Sequence, residues 1–227
     1  MARISIIMPV LNEAETLGEC LRDLQALRAQ RCELIVADGG SRDRSAVLAA
    51  PLADRVVLAP KGRALQMNAG AEQAGGSILW FLHADSRPPP DAARLIREAM
   101  AVSGAGWGRF DVRLSGRRPS LRIVETMMNL RSRLSGIATG DQGIFVRRAL
   151  FERIGGYPSI ALMEDIALSR LLKRHGRPVC LRQRLQTSSR RWERDGVWRT
   201  ILLMWRLRLA YFFGADPARL ARMYYRS

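Results

Sequence analysis

Carboxylates close several apolar runs of this 227-residue chain, and their placement is its first chemical signal. Leu34, Ile35, Val36 and Ala37 lead into Asp38, which is followed by Gly39, Gly40 and Ser41. A carboxylate at that point can accept a hydrogen bond from a nucleobase imide, while glycines let a ligand approach the backbone. An ordinary Asp-Gly turn reads the same way. Ile78 to Leu82 lead into His83, Ala84 and Asp85, just before the prolines 88 to 90. Asp85 is suited to a hard divalent cation, Mg2+ or Mn2+, that bridges a diphosphate; a plain turn residue is the alternative. His83 is read as pocket lining, with metal ligation the other option. Glu164 and Asp165 open a helical stretch, where the helix dipole favours ionised carboxylates, although acidic first turns are common in any helix.

These groups need a frame. Ile4 to Val10 reads as a buried strand, and Thr16 with Glu19 as a capping box ahead of Leu17, Leu21, Leu24 and Leu27 at helical spacing. Strands follow at Leu34 to Ala37, Val56 to Leu58 and Ile78 to Leu82, with a short helix after Ser41 and another over Ala64 to Gln73. Asp91 is placed to cap the next helix. Strand and helix alternate four times, which predicts an α/β fold with a mostly parallel sheet and helices on both faces. Ligands in such sheets bind outside the carboxyl ends of the strands, where Asn12, Glu13, Asp38 and Asp85 gather. The second half is less regular. Strands are expected near Gly106 to Val112 and Gly143 to Val146, and helices at Leu121 to Leu134, Arg148 to Ile154, Glu164 to His175 and Val197 to Phe213.

The chain carries 37 basic and 21 acidic residues, a formal net charge of +16. Residues 1–113 contribute only +1 and residues 114–227 contribute +15. Such asymmetry points to a polyanionic partner, here an anionic membrane face, because no helix-turn-helix, zinc or RNA-binding signature supports nucleic acid. Arginine bias from genome composition is the plainer account, since Lys61 and Lys173 are the only lysines. Cys20, Cys32 and Cys180 fit no metal pattern and read as free thiols of a reducing cytosol. No secretory leader is expected, because the opening apolar run contains Pro9 and ends at Asn12 and Glu13. No stretch reaches the roughly 20 apolar residues of a membrane span. The nearest approach, Trp198 to Phe213, is interrupted by Arg199, Arg206 and Arg208. Arg199 and Arg206 share a helix face and Arg208 lies nearly opposite, so membrane-surface contact and core packing both stay open for this tail.

The ordered set Met8–Glu13, Val36–Asp43 and Leu82–Asp85 resembles the glycosyltransferase family 2 group of the GT-A superfamily. The resemblance runs from about Ile4 to His175. Within the family it is closest to small bacterial transferases carrying Gly-Arg-Ala-x-Gln-Met-Asn and His-Ala-Asp, here Gly62 to Asn68 and His83 to Asp85. It implies a GT-A, Rossmann-like fold over residues 1–189 with a basic, apolar helical extension over 190–227. It further implies a donor site made of Pro9, Asn12, Glu13, Asp38, Arg63, Asn68, His83, Ala84 and Asp85, with Asp85 tied most directly to metal. Asp141 and Gln142 match the segment beneath the acceptor, and Glu164 with Asp165 match an acidic pair whose Asp acts as base. Two departures stand out. Gly39 replaces a usual Asp, and His83 replaces the first Asp of the metal motif, leaving one carboxylate where two hold a cation more firmly.

Arg190, Arg191 and Trp192 resemble part of the Gln-x-x-Arg-Trp signature of processive synthases, but Ser188 stands in place of Gln. Non-processive transfer is therefore expected. Arg191 can hold phosphate and Trp192 can stack on a sugar or isoprenoid, or simply anchor the tail. The expected activity is inverting transfer from a nucleoside-diphosphate sugar to an acceptor hydroxyl, with a lipid-phosphate-linked acceptor in view. The expected location is cytoplasmic, at the inner face of the plasma membrane. A nucleotidyltransferase is the nearest alternative enzyme, although Leu11 to Glu15 stand where its Gly-rich phosphate loop would be. A non-catalytic polyanion-binding protein is the alternative of another class.

Overall fold

Ile4–Val10 forms the first strand, β1, and its side chains divide cleanly between two cores. Ile4, Ile6, Met8 and Val10 enter one cluster with Leu34, Val36, Ile78 and Trp80. Ile7 enters the other with Ile35, Leu79 and Phe81. A strand covered on both faces has no polar side to show, which is why these segments read as continuous apolar runs. The computed structural model describes residues 2–102 and 104–225.

The other strands are β2 (Cys32–Asp38), β3 (Arg55–Leu58), β4 (Ile78–Phe81), β5 (Trp107–Leu114), β6 (Phe145–Arg147) and β7 (Val179–Thr187). They form one seven-stranded sheet in the order β3-β2-β1-β4-β6-β5-β7. β3, β2, β1 and β4 are mutually parallel, β6 runs antiparallel to both neighbours, and β7 is parallel to β5. Helices α1 (Ala14–Asp23), α2 (Gln25–Ala29), α3 (Ser45–Ala49) and α5 (Ala92–Val102) serve the first core. Helices α4 (Arg63–Glu72), α7 (Arg148–Arg153) and α8 (Glu164–Lys173) serve the second. Helix α6 (Pro119–Ser135) packs beside β5, and α9 (Arg190–Asp195), α10 (Val197–Phe212) and α11 (Pro217–Tyr225) complete the chain. This is the mostly parallel α/β architecture expected, with its order reversal beside β1.

Two expectations need correction. Thr16 does not cap a helix: α1 starts at Ala14, and the Thr16 hydroxyl is buried within it without a partner. The start is set from elsewhere, since the Glu13 amide donates to Ser45 Oγ (2.9 Å) and the Ala14 amide to Asp43 Oδ2 (3.0 Å). Asp91 directly precedes α5 as expected, its carbonyl accepting from the Leu95 amide at 3.0 Å, and its carboxylate also pairs with Arg94 at 2.6 Å. β7, α9 and α11 were not anticipated, and the paired second half is more regular than its sequence suggests.

Close packing fixes the irregular half of the sheet. A Cβ on Gly108 would lie 2.5 Å from Phe145 Cζ and 2.6 Å from the Val179 carbonyl oxygen, so β5 sits against both neighbours only with glycine there. Gly108→Ala is expected to lower unfolding stability by about 1–3 kcal/mol through overpacking, measurable by urea titration.

Candidate active site

The carboxyl ends of β1 and β4 open onto a cavity of about 450 Å3, within the range of small-molecule sites. Pro9, Glu13, Arg63, His83, Ala84, Asp85, Asp141, Glu164, Asp165, Arg191 and Trp192 all line it, although they are spread from one end of the chain to the other. Asn12, Asp38, Asn68 and Gln142 are absent from its wall, and their side chains explain why. Asn12, in a left-handed conformation (φ 55°), accepts from the Arg42 amide at 2.8 Å and ties two loops together. Asn68 exchanges two 2.9 Å hydrogen bonds with the backbone of Tyr157. Gln142 is fully buried and accepts from the Thr139 amide at 3.2 Å. These three hold the frame instead of facing the cavity.

Asp38 sits just behind the rim. Its Oδ2 accepts from the amides of Gly40 (3.1 Å) and Ser41 (2.9 Å), as an Asp-Gly turn should. Its Oδ1 is buried and has no partner. A buried acceptor left unmet costs stability, so it is a ready position for an incoming N–H donor. The glycine at position 39 also has a local cause. Gln66 clamps the ends of β1 and β2 through the carbonyls of Val10 (2.7 Å) and Ala37 (2.9 Å). A Cβ on Gly39 would stand 2.9 Å from the Gln66 side chain.

On the β4 side, His83 Nδ1 lies 3.4 Å from Asp141 Oδ1. Burial opposes the imidazolium most strongly, yet the Asp141 hydrogen bond together with the charges of Asp141 and Asp85 outweighs it and raises the His83 pKa. Burial likewise opposes the Asp141 carboxylate, and His83 and Arg63 bring its pKa below the usual value. Asp85 Oδ1 accepts from Thr187 Oγ1 at 3.4 Å, which joins β4 to the end of β7. Burial raises the Glu13 pKa, and the neighbouring Asp85 adds to this against Arg190 and Arg63. The Asp85 to Glu13 side of the cavity is thus rich in negative charge.

The opposite wall is the start of α8. Met163 is in a left-handed conformation (φ 67°), which turns the chain sharply into Glu164 and Asp165. Asp165 Oδ2 accepts from the Gly140 amide at 2.9 Å and Oδ1 from the Ile166 amide at 2.7 Å. Both oxygens keep a further lone pair, so the carboxylate is oriented but not saturated. Glu164 is buried, and burial together with Asp165 raises its pKa.

The C-terminal helices make the third wall, with Thr200, Met204 and Arg208 from α10 and Tyr224 and Tyr225 from α11. Arg191 lies 3.6 Å above the Tyr224 ring and donates to its carbonyl at 3.0 Å. Trp192 lines the cavity while packing with the Leu114, Leu121, Val124 and Val197 cluster, the packing expected of a tail anchor. Arg131 does not line the cavity but lies close to Arg208 and Asp165. Its Nε and Nη2 are buried without partners, and its pKa is pushed down to about 10 by burial and by the nearby Arg208. Arg208 signalled itself only as the arginine opposite Arg199 and Arg206, and Tyr224 gave no signal.

Among the described residues, no group of three His, Cys, Asp or Glu side chains forms a metal cage. Asp85, the one carboxylate of the His83–Asp85 segment, fits a cation that takes most of its oxygens from a substrate diphosphate and water, as Mg2+ usually does.

Residues 5–155 match the sequence profile of Glycosyl transferase family 2. The chain belongs to that family. It is 34% identical over 158 residues to the undecaprenyl-phosphate 4-deoxy-4-formamido-L-arabinose transferase of Pseudomonas paraeruginosa, covering 63% of this chain and 46% of the relative. The Pseudomonas aeruginosa enzyme of that name matches equally, at 34% over 158 residues and the same coverage. The chain therefore spans less than half the length of these curated relatives. Among solved structures, Staphylococcus aureus TarS with UDP-GlcNAc superposes with a TM-score of 0.67 at 16% identity, covering 82% of this chain and 58% of that one. The Pyrobaculum calidifontis mannosyltransferase PcManGT, bound to GDP-Man and Mn2+, gives 0.63 at 20% identity, covering 82% and 56%. The shared architecture is the GT-A fold.

Proposed function

We propose that this family 2 member transfers a glycosyl group, with inversion, from a nucleoside-diphosphate sugar to a hydroxyl of a phosphate-bearing acceptor. The observation that carries the reading is one cavity with Asp85 on the β4 wall and Asp165 on the facing α8 wall. Asp38, through its unmet Oδ1, would accept the N–H of a nucleobase imide such as uracil or guanine, with Glu13 and Arg63 beside the nucleoside diphosphate. Asp85 would hold a divalent cation, which when bound neutralises charge growing on the departing diphosphate. Asp165 would take the acceptor hydroxyl proton as the new carbon–oxygen bond forms and the anomeric carbon–diphosphate bond breaks. Arg63 and Arg208 stand within the same cavity as positive partners for the phosphates.

A lipid-phosphate-linked acceptor is supported by the undecaprenyl-phosphate relatives and by Arg208 on the cavity wall. Peripheral association with the inner membrane face fits this acceptor. Among the described residues no helix is long and apolar enough to cross a bilayer.

Calorimetry against uridine, guanosine, adenosine and cytidine diphosphates, with and without manganese, tests the donor reading. Uridine or guanosine diphosphate should bind, and Asp38→Ala should weaken that binding by about tenfold, because a hydrogen bond to a charged acceptor is lost. Unchanged affinity in the variant would remove Asp38 from the donor site, and no binding by any of the four would sink the transferase reading.

A further inference from the structure

Helix α10 buries Val197, Thr200 and Leu207 yet shows a second apolar face to solvent. Trp198 (67% exposed), Leu202 (67%), Trp205 (63%), Leu209 (60%) and Phe212 (69%) recur at helical spacing along that face. Helix α6 repeats the pattern. It buries Leu121, Val124, Glu125 and Ser132, while Ile123 (56%), Met127 (52%), Leu130 (48%) and Leu134 (71%) form its own outward stripe. Single exposed apolar residues need no explanation, but two ordered stripes do.

The two helices lie side by side and run in the same direction. Leu121, Val124 and Met128 near the start of α6 share a cluster with Val197 and Ile201 at the start of α10, and further along Arg131 feels the charge of Arg208. At about 100° per residue, the packing seam lies roughly a quarter turn from each stripe, in opposite senses on the two helices. Both stripes therefore open on the same side and make one continuous apolar plate.

Its charge is one-signed. Helix α10 contains no acidic residue, and the one acidic residue of α6, Glu125, is buried and paired with Arg122 (3.2 Å) and Arg184 (3.8 Å). Arg199 and Arg206 are exposed along one edge of the α10 stripe. We propose that the α6–α10 plate docks on the surface of an anionic bilayer. The stripes enter the boundary between headgroups and acyl chains, Trp198 and Trp205 sit at the polar–apolar border, and Arg199 and Arg206 lie among anionic headgroups. A second copy of this chain is the poorer occupant, because a two-fold contact would set arginine against arginine with no acid to pair them.

The same helix α10 places Thr200, Met204 and Arg208 on the cavity wall, so docking brings the cavity within about one helix diameter, roughly 10 Å, of the lipid. That link to a lipid-phosphate acceptor rests on the function proposed above, whereas docking itself needs no transfer chemistry. Co-sedimentation with phosphatidylcholine vesicles, with or without about one third phosphatidylglycerol, measures docking directly. The full chain should bind only the anionic vesicles, and less as salt rises. Met127→Glu with Leu130→Glu on α6, and separately Trp205→Glu with Leu209→Glu on α10, should each lower partitioning at least about tenfold. Retained uridine or guanosine diphosphate affinity identifies the variants as folded. If the wild type ignores anionic vesicles at low salt, or a folded α6 variant binds them as well as the wild type, the plate is not a membrane surface. A dimer in sedimentation equilibrium that both pairs of substitutions dissolve would likewise give the plate to a second copy. Absence of nucleotide binding with vesicle binding intact would count against the transferase reading alone.

Discussion

Asp165→Asn is expected to leave nucleoside-diphosphate affinity within about twofold and to slow transfer by about 10²-fold or more, the usual contribution of a positioned general base. The substitution suits the site because the carboxylate has two jobs that can be separated. It accepts from the Gly140 and Ile166 amides, and an amide oxygen can keep one of those bonds. It also offers a basic lone pair to the cavity, which an amide cannot supply. A thermal melt that stays near the wild type, together with single-turnover transfer, distinguishes loss of chemistry from loss of the Gly140 turn. Undiminished transfer would move the base elsewhere, with Glu164 next in line. It would also favour an acceptor that attacks through a phosphate oxygen, since that nucleophile is already ionised and needs no base.

Asp85→Asn should reduce diphosphate affinity and dependence on Mg2+ or Mn2+ together, with transfer falling by about 10²-fold. The two effects belong together because no second carboxylate with His83 and Asp85 forms a ready cage among the described residues. A cation held by one carboxylate and a diphosphate is lost when either partner goes. Titrating diphosphate at fixed manganese, then manganese at fixed diphosphate, should show each strengthening the other in the wild type and not in the variant. Wild-type turnover unaffected by excess chelator would end the metal assignment.

Parts of this arrangement are legible in the sequence for a physical reason. β1, β2 and β4 are covered on both faces, so each is a continuous apolar run, and the charged residue that ends the run marks the site. Glu13, His83 and Asp85 follow that logic, Glu164 and Asp165 stand out instead as the acidic first turn of α8, and all five meet at the cavity. β7 does not, because Arg182, Gln183 and Arg184 are exposed where the register shifts, which masks its pattern. Asn12, Asn68 and Gln142 carry motif identities, but tertiary hydrogen bonds spend their polar atoms on the frame. Arg131, Arg208 and Tyr224 come together only through the packing of α6, α10 and α11, which no local spacing encodes. The tail's mixed character was a conflict only in one dimension: α10 has one face for the core, one for the cavity and one for solvent.

The order of strands also bears on how the chain leaves the ribosome. β5 is synthesised before β6, yet β6 lies between β4 and β5 in the sheet. β4, with Ile78, Leu79, Trp80 and Phe81, thus emerges beside β1 with its other edge open. It stays open until Phe145–Arg147 is made and inserted. An apolar strand with an unpaired backbone edge is a template for wrong pairing. Pausing during synthesis between residues 81 and 145 should therefore yield more aggregated nascent chain than pausing after β6 has emerged.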